Sequence, residues 1–87
     1  MKIKEGYILR QVAGENIVIP SGEDLDLNLM ISLNDTGCFL WKRLATGAGE
    51  EDLVRALLEE YEVEEPRARA SVGAFLARLR EHGCLEP

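Results

Sequence analysis

Hydrophobic residues recur at every second position before Asn34 and at every third or fourth position after it, and this change of period limits the folds open to the chain. Residues 25–33 place five apolar side chains on one face, namely Leu25, Leu27, Leu29, Ile31 and Leu33. Such alternation is typical of a β-strand with one buried face. Asn34 is a favourable helix N-cap, and Asp35 would lie at the positive end of the helix dipole. We therefore expect a strand that passes directly into a helix.

Two more strands and two more helices complete the predicted order. The β-rich runs at residues 7–12 and 16–20 flank a short link that contains Gly14, which predicts a hairpin. After Asn34, helical spacing predicts a helix that stops at residues 46–49, a second that begins near residues 50–52, and a third from Pro66 to about His82. Gly83 suits the left-handed position that ends the third helix. Three strands followed by three helices predict one α+β domain, residues 1–87, with a small antiparallel sheet.

The charge of the chain argues against a protein that binds phosphate backbones. Its 87 residues carry ten Lys and Arg against sixteen Asp and Glu, a net charge of −6, whereas nucleic-acid affinity depends mainly on neutralising phosphates. The first six residues are charged where a signal peptide would be apolar, and no run of about 20 apolar residues occurs. We expect a cytoplasmic protein whose two cysteines, Cys38 and Cys84, stay reduced.

The sequence offers little for catalysis. Its one histidine, His82, provides neither a zinc-binding cluster nor a Ser-His-Asp set. The carboxylates occur in runs typical of a solvated face, and the glycines at residues 47–49 lack the lysine of a phosphate-binding loop. We expect no enzyme activity, no metal and no cofactor.

The third predicted helix has an unusual surface. One face is apolar and should be buried, and it consists of Ala68, Val72, Phe75, Leu76 and Leu79. The opposite face carries small residues, among them Gly73 and Ala77. Arginines 67 and 78 border this small face on one side, and arginines 69 and 80 border it on the other. The small face could admit a second backbone, with arginines to meet its carboxylates, or could be surface alanines beside solvated arginines.

Several residues, in this order and spacing, resemble the PqqD family, which comprises the pyrroloquinoline quinone biosynthesis protein D and related precursor-peptide recognition elements. They are Leu33-Asn34-Asp35-Thr36-Gly37 ahead of Trp41, Gly47, Tyr61-Glu62-Val63 at the close of a helix, and then Phe75-Leu76, Gly83 and Leu85. The resemblance extends from the hairpin to Leu85. It implies a winged helix-turn-helix, in agreement with the three strands and three helices predicted above.

The resemblance also implies a function. Family members bind the leader segment of a ribosomally made precursor peptide and present it to a modifying enzyme, often a radical SAM maturase. The leader adds as a strand to the edge of the third strand, beside the third helix, which is β-augmentation. The implied peptide-binding residues are Leu27, Asn28, Leu29, Met30, Ile31 and Ser32 on the strand, and Arg69, Val72, Gly73, Leu76, Ala77 and Arg80 on the helix. We expect the bound leader to carry Glu or Asp near its apolar anchors, and the protein to be a monomer or weak homodimer.

At two places the sequence differs from the family members that act in pyrroloquinoline quinone synthesis, and these differences bear on the pathway. Members that act in pyrroloquinoline quinone synthesis tend to have Asp-Val in the third helix and Gly-Trp near its end, where this chain has Ser71-Val72 and Gly83-Cys84. This favours another peptide-modification system.

Two alternatives stay open at this stage. A winged helix with four arginines on its third helix could be a DNA-binding transcription regulator, although the acidic remainder would repel phosphates. An open edge strand could also pair with a partner's sheet or with a second copy of the chain, which would make the protein a structural subunit.

Overall fold

The computed structural model describes residues 2–20 and 31–86. The predicted order of three strands and three helices is confirmed. The elements are β1 (Tyr7–Val12), β2 (Glu15–Pro20), β3 (Ile31–Leu33), α1 (Asp35–Ala45), α2 (Glu50–Glu60) and α3 (Glu65–Glu81). The part of the predicted third strand at residues 25–30 lies outside the described residues, so the structure gives only the last three residues of the alternation. There Ile31 and Leu33 are buried and Ser32 is exposed, as a strand with one buried face requires.

The three strands form one antiparallel sheet in the order β1-β2-β3. β1 and β2 are joined by the two-residue turn Ala13-Gly14, in which both residues have positive φ, 52° and 84°. This is the signature of a type I′ turn, whose twist matches that of the flanking strands. β3 pairs with β2 through Val18–Ile31, Ile17–Ser32 and Asn16–Leu33. β1 and β3 are therefore the two outer strands of the sheet that the described residues form.

The helix ends follow the capping residues in the sequence. The Asn34 side chain accepts a hydrogen bond of 2.7 Å from the backbone N–H of Gly37, so it caps α1 as predicted. Pro66 lies in the first turn of α3, and Gly83 follows its end at φ 71°, a left-handed conformation that favours glycine. None of the helices in the described part of the chain is long and apolar enough to cross a membrane.

One hydrophobic core joins the sheet to the three helices. All five residues predicted for the buried face of α3 belong to it, with Phe75 the most exposed at 8%. Val18 and Ile31 contribute from the sheet, and Trp41 contributes from α1. The core therefore fixes the rotation of α3 about its own axis, and with it the sides on which the flanking arginines lie.

The two ends of the described chain pair with each other. Ile3 and Leu85 form an antiparallel bridge, and the backbone N–H of Lys4 donates to the carbonyl of Cys84 at 2.7 Å. Cys38 and Cys84 are both free and buried. Burial raises the pKa of the Cys84 thiol, which keeps it protonated at neutral pH.

Candidate functional site

The register of the sheet shows which backbone groups of β3 have no partner among residues 2–20 and 31–86. In a two-residue hairpin the pair next to the turn, Val12–Glu15, is hydrogen-bonded, and hydrogen-bonded and non-hydrogen-bonded pairs then alternate along the strands. Ile17 therefore directs its N–H and carbonyl towards β1. Pro20, which has no N–H, falls at a position that does not bond to β1, as this register requires.

The same alternation passes through β2 to β3. Because Ile17 bonds to β1, its partner Ser32 stands in a non-hydrogen-bonded pair with β2, and the N–H and carbonyl of Ser32 point away from the sheet. Ile31 and Leu33 make the bonds to β2. Ser32 therefore presents one donor and one acceptor along the open edge, in the arrangement that an added strand needs.

A cleft with a volume of about 630 Å³ lies beside this edge. Its lining comes from β3, from α1, from the end of α2 and from α3: Ser32, Leu33, Asn34, Thr36, Gly37, Leu40, Leu57, Tyr61, Val63, Arg67, Ser71, Ala74, Phe75 and Arg78. A volume of this size lies within the range of ligand sites. The edge of β3 contributes to one part of the lining, and α3 contributes to another.

The cleft has an apolar floor. Leu40, Leu57 and Phe75 are buried core residues whose surfaces reach it, and Val63 is half-buried. Tyr61 is 38% exposed, and its ring packs edge-on against Phe39 with 5.6 Å between the ring centroids. An aromatic side chain fixed in this way offers a pre-ordered apolar surface at little entropic cost. The floor can therefore accept apolar side chains from an extended ligand.

Two arginines of α3 border the cleft, Arg67 near the start of the helix and Arg78 near its end. Both are exposed, and neither guanidinium forms an ion pair within residues 2–20 and 31–86. Between them, Ser71 and Ala74 line the cleft with small side chains. This side of α3 therefore combines positive charge at both ends with room in the middle.

The structure separates the predicted peptide-binding residues into three groups. Ile31 and Ser32 lie on β3, at the edge. Leu27, Asn28, Leu29 and Met30 lie outside the described residues. On α3, Val72 and Leu76 are 0% exposed within the core, and Arg69, Gly73, Ala77 and Arg80 are not among the described residues that line the cleft. The arginines that line the cleft are Arg67 and Arg78. They lie on the side of α3 opposite to Arg69 and Arg80, and the sequence interpretation did not include them among the peptide-binding residues.

Arg69 already has partners. Its guanidinium donates to Glu51 of α2 at 2.6 Å and 3.0 Å and to Glu65 at 2.9 Å. These hydrogen bonds raise the pKa of Arg69, and the bonds from Arg69 lower the pKa of the Glu51 carboxyl. These bonds use three of the five N–H donors of the guanidinium, and two carboxylates already offset its charge, so a ligand carboxylate would gain less from Arg69 than from an unpaired arginine. The four-residue spacing of Glu65 and Arg69 was the sequence signal for this pairing.

Gly73 provides a test of which side of α3 binds a ligand. A Cβ built on Gly73 meets no atom of the described residues within 4 Å, and glycine in a helix interior costs about 1 kcal/mol relative to alanine. Gly73→Ala should therefore raise the free energy of unfolding by roughly 0.5–1 kcal/mol and leave peptide affinity unchanged. Urea unfolding and a binding titration measure the two effects.

Ala77→Gly is the matched control for this prediction. It lies on the same face in the helix interior, is exposed, and should lower stability by about the same amount that Gly73→Ala raises it. A loss of peptide affinity in Gly73→Ala would show that a bound backbone approaches the small face, as the sequence alone suggested.

The fold and the cleft together define a class: a small winged-helix domain in which a strand edge lies beside a cleft that is also lined by the third helix. The family model described as Coenzyme PQQ synthesis protein D (PqqD) matches residues 20–85. The chain belongs to the PqqD family, as the sequence resemblance predicted.

Two solved structures are similar to this chain. One is TbiB1 in complex with the TbiA(beta) leader peptide, with a TM-score of 0.79 and 26% identity over 99% of this chain and 95% of that chain. The other is a lasso peptide synthetase B1 complexed with the leader peptide, with a TM-score of 0.78 and 26% identity over 99% of this chain and 96% of that chain. No curated protein sequence shows significant similarity.

Proposed function

We propose that this protein binds the leader segment of a ribosomally synthesised precursor peptide, which adds as a strand to the edge of β3 and lies in the cleft against α3. The observation that carries the proposal is the outward N–H and carbonyl of Ser32 beside an apolar cleft. Main-chain hydrogen bonds would supply affinity at the edge, and the apolar floor would select side chains. The two similar structures, both complexes with leader peptides, support it.

We infer further that the protein presents the leader to a separate modifying enzyme, such as a radical SAM maturase, and is not itself the enzyme. Family membership supports this role, because such members are partners of modifying enzymes. The encounter would take place in the cytoplasm, where the precursor is synthesised. Neither the family match nor the two similar structures support the DNA-binding alternative. One of the four arginines on which that alternative relies, Arg69, forms ion pairs with Glu51 and Glu65.

The proposal is tested by titrating the isotopically labelled 87-residue chain with the leader of the precursor encoded nearest to its gene. We expect amide shifts in β3, at Ile31, Ser32 and Leu33, and on the cleft side of α3, at Ser71 and Phe75. The amides of β1 serve as an internal control, because β2 separates β1 from the edge of β3 and shifts confined to β1 would indicate addition at the opposite edge of the sheet.

The outcome that would contradict the proposal is saturable binding with unshifted β3 amides. Light scattering of the chain without peptide identifies the structural-subunit alternative, which predicts a stable dimer formed through the same edge. If such a dimer forms, addition of the leader should dissociate it only when the leader and the dimer both use the edge of β3.

A further inference from the structure

The two arginines that border the cleft determine where charge can lie in a bound peptide. Arg67 and Arg78 are eleven residues apart on α3, which is about 16–17 Å at roughly 1.5 Å per residue. In an extended strand, a rise of about 3.3 Å per residue covers about 13 Å in four residues and about 20 Å in six. A spacing of five residues would match the distance along the helix, about 16–17 Å, and any inclination of the helix to the strand shortens the projected distance towards that of four residues.

The pleat of an added strand makes this spacing selective. Residues two and four positions apart point to the same face of a strand, whereas residues three or five apart point to opposite faces. A carboxylate pair at an even spacing can reach both arginines together. The residue midway between the carboxylates then points to the same side, towards Ser71 and Ala74 and the ring of Phe75, where small side chains leave room for an apolar group.

We propose that the cleft selects extended peptides with the pattern acid-x-apolar-x-acid, in which Arg67 and Arg78 each pair with one carboxylate and the apolar residue enters between them. This inference rests on the proposed function and adds the chemistry of its ligand. The pattern reads the same in both chain directions, so it applies to parallel and antiparallel addition to β3. Ion pairs and burial of the central side chain act together in this arrangement.

The two arginines are not equivalent. Arg67 also borders a second depression, which it shares with Glu62 and Glu64, and these carboxylates offset part of its charge. Arg78 is not among the lining of that depression. Removal of the Arg78 charge should therefore weaken binding more than removal of the Arg67 charge.

Three synthetic twelve-residue peptides of identical composition test the proposal. Each has a leucine between two glutamates, which are three, four or five residues apart. A fourth peptide, with glutamines in place of both glutamates at a spacing of four, is the uncharged control. Titration of the labelled 87-residue chain, followed through the cleft amides, should give about three- to tenfold tighter binding at a spacing of four than at three or five. The preference should shrink in 0.5 M NaCl because the pairs are exposed to solvent.

Variants identify the arginines responsible. Arg67→Gln and Arg78→Gln should remove the preference for a spacing of four, while Arg55→Gln, which loses the same charge on α2 away from the cleft, should keep it. Equal affinity at all spacings, an unchanged preference in both cleft variants, or no cleft shifts with any peptide would overturn the inference. The cognate leader would still shift β3 in those cases if the proposed function holds, so the two failures are distinguishable.

Discussion

Ser32→Pro should lower the affinity for the leader about ten- to hundredfold while the domain stays folded. Ser32 directs its N–H away from β2, so a proline at this position removes a donor that only the added strand would use. The lost bond and the leader carbonyl left without a partner together cost roughly 1.5–3 kcal/mol. Proline is tolerated on edge strands where the N–H faces solvent, so the ladder between β2 and β3 should persist.

The matched control is Ser32→Ala, which keeps the backbone N–H and alters only an exposed side chain. Its leader affinity should equal that of the unmodified chain. Calorimetric titration measures both affinities, and thermal unfolding checks that the proline variant is folded. Hydrogen exchange gives an independent reading without any mutation: the Ser32 amide should exchange rapidly in the free protein and become protected when the leader binds. Rapid exchange in the complex would contradict addition of the leader at this edge.

Leu76→Ala should have the largest effect on stability and little on recognition. Leu76 is 0% exposed in the core cluster, and replacing such a leucine by alanine costs about 2–5 kcal/mol. Domains have a total stability of about 5–15 kcal/mol, so the variant should remain folded at low temperature but unfold at much lower urea concentration. The leader affinity of the folded fraction should be unchanged, because Leu76 is not among the described residues that line the cleft.

Phe75, the neighbour of Leu76, should affect recognition as well as stability. Phe75 is 8% exposed and lines the cleft, so Phe75→Ala should lower both stability and leader affinity. Leu58→Ala, at a leucine 38% exposed on α2, should change neither by much. Urea unfolding at 10 °C and titration at the same temperature separate the two effects. If Leu76→Ala lowered the affinity as strongly as Phe75→Ala, the cleft would extend to the side of α3 that the sequence interpretation chose.

The hairpin turn and the ends of the helices could be predicted from the sequence because each depends on residues that are neighbours in the chain. The hairpin follows from Gly14 between two β-rich runs, α1 begins at Asn34 because its side chain caps the helix, and α3 ends before Gly83 because glycine adopts the left-handed conformation. The buried face of α3 follows from its spacing alone. The family follows from the order of these features, and the edge of the third strand as a binding site is what the resemblance implies and stays a prediction.

The side of α3 that faces the strand edge could not be predicted in this way. A helical projection places Arg67 and Arg78 on one flank of the core face and Arg69 and Arg80 on the other, and the two flanks are equivalent until neighbouring elements are known. In the folded chain, the start of α2 brings Glu51 to Arg69, while the other flank, with Arg67 and Arg78, lines the cleft beside β3.

The sequence by itself determined the order of the elements, their capped ends and the apolar faces that form the core, because periodicity and capping are local properties of the chain. Only the tertiary structure decided which backbone groups of β3 are free and which pair of arginines borders the cleft. Those two features depend on the register between strands and on the packing of α2 against α3, which are contacts between residues far apart in the chain.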